Sequence, residues 1–352
     1  MMSVSKLLFE QWMMPLWSAK LVYNESVLMT SRDGECPSAA LLFEPEQMIS
    51  VTNSYLDMEY REGIDWVYEG GRLKLTRQSR AAYMTSEELY VPAPVEGATY
   101  PLAGGGYSLW NRGNRHQLID KQLAVTYRHA GNWEGPIPAS FERQLLKVKR
   151  KLEGGEPVKL VLYGDSIAEG AESSARHRIP PYMPTWGELL VQHLQGRYDS
   201  EITLINAASG GKTSLWGVEH VQSLVSEQRP DLVILAFGMN DGSQRVEAGQ
   251  YETHMIRMMD NISLFNPDAE FILVSTMLPN PELQIAAEGM HRSYLPVLRR
   301  LTGQHAALAD LTGITATLLQ RKKFVDITSN NVNHPNDYLI RWYAQAIAAL
   351  LC

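Results

Sequence analysis

Two rhythms of apolar and polar residues run along this chain. In the first part the apolar runs are short and closely spaced: "AALLFE", "MISVTN", "DWVYE", "RLKLTR" and "LAVTYRH", separated by turn signals such as "RDGE", "EGG" and "GGG". Side chains of a strand point alternately to opposite faces, so short alternating or clustered runs bounded by turn residues predict strands. Many such strands in succession predict an all-β sandwich, jelly-roll-like, over residues 1–138. A connector follows, opened by Gly135 and Pro136 and closed by Gly154 and Gly155, with a charged linker helix predicted within 139–156.

From 157 onward the rhythm changes. The runs "VKLVLY", "EITLIN", "DLVILAFG", "EFILVST" and "HAALAD" alternate with longer segments of helical period. In "WGELLVQHLQ", Trp186, Leu189, Leu190 and Leu194 share one face, and 246–265 and 282–302 repeat in the same way. Strand and helix in alternation predict an α/β domain over 157–352, a parallel sheet covered by helices on both faces. In such sheets reactive groups collect at the carboxyl ends of the strands.

Composition narrows the partners more than the fold. With 352 residues the chain exceeds what one core usually serves, which fits two domains. A net charge of −7 argues against nucleic acid, which would want a basic face. No apolar stretch has the length of a membrane span. The opening "MMSVSKLLFEQWMMPLWSAK" is broken at Glu10 and Gln11 and has no small-residue cleavage site, so a cytoplasmic protein is expected. Cys36 and Cys352 are too few for a disulfide framework, and His177, His193 and His220 lack the spacing of zinc ligands. No metal or other cofactor is expected.

Four segments carry candidate chemistry. "VLYGDSIAEG" ends the first predicted parallel strand at Ser166. "INAASGGKTS" follows the second, with Gly210 and Gly211; "AFGMNDGS" follows the third, with Gly238 and Asn240. "NVNHPND" places His334 just before the last helix. A serine hydroxyl attacks an acyl carbon only if a base removes its proton, and an imidazole can take and return that proton near neutral pH. Gly-Asp-Ser alone is a weak signal. Together with Gly-x-Asn-Asp and a late His-Pro, in this order, it resembles the SGNH (GDSL-type) hydrolases across about 157–352.

The resemblance implies a flavodoxin-like sheet, Ser166 as nucleophile and His334 as base. It also implies an oxyanion hole built from the main-chain N–H groups of Ser166 and Gly211 and the side-chain amide of Asn240. Asp165 and Asp241 are expected to brace loops. Many members place an aspartate three residues before the histidine, but here that position is Asn331. A Ser–His dyad is therefore expected, with Asn331 or a nearby carbonyl orienting the ring and Asp326 or Asp337 as further candidates.

The β part before such a domain is similar to two-domain carbohydrate esterases. Removal of O-acetyl groups from a small or oligosaccharide ester is thus the expected activity. Trp186, Trp216 and His177 are candidate substrate contacts, although Trp186 shares its face with Leu189 and Leu190, which favours burial. The alternatives are a short- or medium-chain lipid esterase or thioesterase, and a weakly active carbohydrate-binding protein. A homo-oligomer is compatible with the sequence. The insert 104–117, "GGGYSLWNRGNRHQ", either packs toward the site or forms a hairpin apart from it.

Overall fold

The computed structural model describes residues 6–110, 116–141, 143–286 and 289–352. Five strands, Val158–Gly164, Ile202–Asn206, Leu232–Ala236, Glu270–Val274 and Ala306–Ala309, form one sheet. Their order is second, first, third, fourth, fifth, and every pairing is parallel. This is the flavodoxin-like order, whose crevice opens where the chain reverses its direction of winding. Here that point lies between the carboxyl ends of the first and third strands, where Ser166 and Asn240 stand.

These segments form a buried parallel sheet because they are apolar on both faces. In the first strand Leu160 and Leu162 join one core cluster with Trp186, Leu190 and Trp342. Val161 and Tyr163 join a second with Phe237, Tyr251 and Met255. Helices Trp186–Arg197 and Asp337–Ala348 thus cover one face, and Ala248–Phe265 the other. Among the described residues of the segment predicted as one helix over 282–302, the helix runs from Met290 to Arg300. The connector helix likewise covers Leu146–Glu153 rather than the whole of 139–156.

The first part is rich in β structure. Strands Leu21–Leu28, Gln122–His129, Pro45–Asn53 and Glu59–Tyr60 lie side by side in an antiparallel sheet. A second sheet of five short strands contains Trp66–Glu69 and Arg72–Leu75, and a third of three joins Thr99–Pro101, Tyr107–Leu109 and Tyr90–Val91. "AALLFE" departs from expectation: only Ser38–Ala39 pairs, and Leu41, Leu42 and Phe43 fill the core as irregular chain.

The two parts share buried surface. Trp12, Leu16, Val27 and Tyr127 belong to the same cluster as Trp342, Tyr343 and Ile347 of the last helix. Arg341, itself buried, donates to Tyr23 O at 2.6 Å and to Trp12 O at 3.3 Å. Lys322 and Glu25 form an ion pair with both side chains fully buried. Among the described residues no helix is long and apolar enough to cross a membrane.

Candidate active site

Ser166 is the first residue of a one-turn helix, Ser166–Glu169, that starts where the first strand stops. Asp165 caps this helix, its carboxylate accepting from Ile167 N–H at 3.0 Å. Gly170 ends it with φ +79, a conformation that suits a residue without Cβ; a Cβ there would also lie 2.3 Å from Thr185 Cγ2. The sharp turn at Gly170 sends the chain back past the nucleophile position, and Glu172 lies on this return.

His334 comes from the opposite end of the chain, on a loop that is tied to itself. Asn330 Oδ1 accepts the main-chain N–H groups of Val332, Asn333 and His334 at 2.9, 3.0 and 3.1 Å. Thr328 Oγ1 donates to His334 O at 2.7 Å. From the β part, Gln122 Nε2 donates to Val325 O and Thr328 O, both at 2.8 Å. The loop so held places His334 Nε2 2.8 Å from Ser166 Oγ.

The other ring nitrogen does not meet Asn331. His334 Nδ1 lies 3.3 Å from Glu172 Oε1. A carboxylate only accepts, so this contact fixes the proton on Nδ1 and leaves Nε2 to accept from the serine. Glu172 Oε2 lies 2.8 Å from His177 Nε2 and accepts from Ser329 Oγ at 3.1 Å. Burial pushes the Glu172 carboxyl up, but the hydrogen bonds from His177 and His334 outweigh it and hold the group at about 2. The arrangement is a serine, a histidine and an ionised glutamate in one line of hydrogen bonds.

Several expected roles are corrected by this geometry. Asn331, buried and at φ +57, donates from Nδ2 to Ser108 Oγ at 2.9 Å and to Leu109 O at 3.1 Å. Its own Oδ1 accepts from Asn280 Nδ2 at 3.0 Å. The amide is thus committed to joining the histidine loop to the β part, and the ring is oriented by a carboxylate instead. Asp326 accepts from Leu28 N–H and Asp337 from Ser174 N–H, at 2.7 and 3.0 Å, so neither serves as orienter. Trp186 is wholly buried: its Nε1–H donates to Ile167 O at 2.8 Å and its ring stacks on Tyr343 at 5.8 Å, so it offers no face to a substrate. His177 faces Glu172, behind the histidine, with only 4% of its side chain exposed.

Of the residues expected to form an oxyanion hole, Ser166 and Asn240 stand in short helices, Ser166–Glu169 and Met239–Ser243, that follow the first and third strands, and Gly211 on the loop after the second. Gly211 has φ +76 and open space where a Cβ would be. A Cβ on Gly210 would lie 3.7 Å from Ser166 Cβ and 3.2 Å from Glu169 Oε2, so this loop passes directly beside the serine. Asn240 Nδ2 donates to Lys212 O at 3.0 Å, tying the third-strand loop to the glycine loop and engaging one of its two amide hydrogens. Asp241 accepts from Ser214 N–H at 3.0 Å, a brace of the expected kind. Trp216 is half-buried, stacked on His220 at 4.6 Å with Lys212 Nζ 5.7 Å above its ring.

With fold and geometry in hand, the family follows. Residues 162–338 match the model of the GDSL-like Lipase/Acylhydrolase family, and the chain belongs to that family. Among curated relatives it is similar to the thioesterase 1/protease 1/lysophospholipase L1 of Escherichia coli (strain K12), 27% identical over 120 residues that make up 34% of this chain and 51% of that one. An arylesterase of Vibrio mimicus is 31% identical over 84 residues, 24% of this chain and 38% of the relative. The chain therefore spans about half the length, or less, of these relatives. Among solved structures it is similar to a two-domain esterase active on acetylated mannans, with 23% identity, TM-score 0.47 and coverage of 62% of this chain and 53% of that one. The acetylxylan esterase Axe2 of Geobacillus stearothermophilus gives 17% identity, TM-score 0.43 and coverage of 56% and 96%.

Sequence reasoning missed Glu172. Its only signal was an acidic residue and a histidine, "AESSARH", on the segment just after the nucleophile.

Proposed function

We propose that this chain hydrolyses short acyl esters by two-step acyl transfer, with O-acetylated saccharides as the substrate class. The observation that carries the reading is the 2.8 Å contact between Ser166 Oγ and His334 Nε2, with Glu172 on the far side of the ring. In the first step Ser166 Oγ bonds to the acyl carbon while its proton passes to Nε2. Glu172 stabilises the imidazolium that forms, the role a buried carboxylate plays in serine triads. The oxygen that gains charge is received by the N–H groups of Ser166 and Gly211 and the second amide hydrogen of Asn240; one such donor is typically worth about 3–4 kcal/mol. His334 then gives the proton to the leaving alcohol. Water, deprotonated by the same nitrogen, releases the acid and restores Ser166.

The surroundings of Ser166 support a small, uncharged, polar substrate. Gly210 and Gly211 are exposed beside it, and the Glu169 carboxylate borders the same loop, unfavourable to an anionic acyl carrier. In the β part, Tyr100 and Trp110, half-buried, meet edge-on at 4.8 Å next to Leu109, whose O accepts from Asn331, and such an aromatic pair suits a sugar face. The similarity to a thioesterase and lysophospholipase favours a second reading, a longer acyl ester.

The test is a panel of p-nitrophenyl esters and acetylated sugars with wild type and Ser166→Ala. Turnover highest for acetyl and lost in the variant, with its thermal melt unchanged, is the expected outcome. Rates that climb with acyl length select the second reading. Undiminished turnover by Ser166→Ala removes both.

A further inference from the structure

The reaction uses Glu172 through one oxygen only. Its other oxygen accepts from Ser329 Oγ at 3.1 Å and is met more closely by a histidine to which the chemistry above gives no task. His177 closes the short helix Ser174–His177, and its Nε2 is nearer to Glu172 Oε2, at 2.8 Å, than His334 Nδ1 is to Oε1, at 3.3 Å. The helix is fixed at its start by two contacts. Ser173 caps it, accepting from Arg176 N–H at 3.4 Å, and Ser174 N–H donates to Asp337 Oδ1 at 3.0 Å. Behind His177 stands His116 of the β part, edge-on with ring centroids 5.0 Å apart.

We propose that His177 is a positioning residue for the Ser166–His334–Glu172 line: it holds the glutamate still from behind and is itself backed by the β part through His116. This rests on the hydrolytic reading above. A carboxylate turns readily about its last bond. With a ring on each oxygen it cannot turn without breaking one contact, so Oε1 stays aimed at Nδ1. An N–H donated to Oε2 also draws negative charge away from His334. Without it more of the glutamate's charge faces His334, which favours the protonated ring over the one that accepts the Ser166 proton. Among the described residues, the charged and titratable groups facing this pair are Asp165 from the nucleophile turn, Asp337 from the last helix, with Arg341 beyond it, and His116 from the β part. All of them remain when His177 alone is changed.

The experiment is a double-mutant cycle on the full chain, using His177→Leu, Glu172→Gln and the pair, read with p-nitrophenyl acetate from acidic to alkaline pH. His177→Leu is expected to lower kcat by roughly ten- to hundredfold, the scale of a misplaced catalytic group. KM should stay near wild type, and the acid limb of the kcat/KM profile should move to higher pH. In the Glu172→Gln background the same change should have little further effect, because its target is gone. His177→Gln, whose amide can still donate toward Oε2, should recover most of the rate. A wild-type rate and limb in His177→Leu overturn the proposal, as does an equal loss with and without Glu172, which is what general loosening gives. If His177→Leu does not fold, His177→Gln and His177→Asn carry the comparison, and equal rates for those two overturn it. Ser166→Ala separates the levels: activity there ends the hydrolytic reading itself, whereas a dead Ser166→Ala beside a normal His177→Leu ends only this inference.

Discussion

Asn331 occupies a position where an amide succeeds and a carboxylate would fail. Its two N–H groups go to Ser108 Oγ and Leu109 O inside the protein. An aspartate there would lose both donors, set its charge against a carbonyl oxygen, and find His334 Nδ1 already facing Glu172. An orphaned buried polar group costs about 1–3 kcal/mol. Asn331→Asp should therefore melt several degrees lower without any gain in kcat, measured by thermal unfolding alongside esterase assays. A faster enzyme would show that the ring can exchange partners. The same residues show what the sequence made legible. Ser166 and His334 were readable because each lies in a short motif whose chemistry needs that residue type. Glu172 was not, because its role depends on a spatial meeting with a ring 162 positions away. Nothing in the local sequence distinguishes it from a surface glutamate. Trp186 could be read two ways: its place near a motif suggested a substrate contact, while the apolar face it shares with Leu189 and Leu190 favoured the burial that the structure has.

At the scale of elements, strands were legible where both faces are apolar, as in the parallel sheet. They were obscure where a strand carries its own polar partner. Leu21–Leu28 reads "LVYNESVL", with a polar centre that weakens the alternation. The structure explains the centre. The chain bulges between Val22 and Glu25, and Glu25 turns inward to Lys322, to Leu42 N–H at 2.9 Å and to the Tyr127 hydroxyl at 2.5 Å. A charge in the core is tolerable only while its partner remains, and breaking a buried pair from one side costs about 3–5 kcal/mol. Lys322→Met should lose that much in urea unfolding. Glu25→Gln added to it should restore most of the loss, since the glutamine oxygen can still accept from Leu42 N–H while its amide N–H donates to the Tyr127 oxygen. If the double variant is no better than the single, the ammonium rather than the unpaired carboxylate is what the fold needs. The role of this pair in tying the β part to residue 322 was invisible in sequence, because residues 25 and 322 share no motif and no periodic stripe.

Across the whole molecule, acidic groups collect at the carboxyl end of the sheet, and their burial sets an opposing pH dependence. Burial pushes Asp165 up to about 7 and Asp337 to about 6 from an ordinary value of 3.8, and raises Asp241 as well. A carboxyl raised in the folded state binds its proton more tightly there than in the unfolded chain. Its contribution to stability is whole below 3.8 and is lost as pH rises through the folded value. Glu172 runs the other way. Held at about 2 against 4.5, it stabilises fully above 4.5 and loses that contribution only as pH falls toward 2. From about pH 5 to about pH 8 the raised aspartates therefore govern, and the melting temperature should decline across that interval. Asp165→Asn isolates the largest of these shifts. Asparagine keeps the acceptor that caps the helix at Ile167 but cannot ionise. Its melting curve against pH should be flatter than wild type, with the variant relatively more stable at the alkaline end. Parallel curves for the two proteins would mean that Asp165 is already ionised in the folded state at mildly acidic pH. The charge beside Ser166 would then be satisfied by its hydrogen bonds, not suppressed by burial.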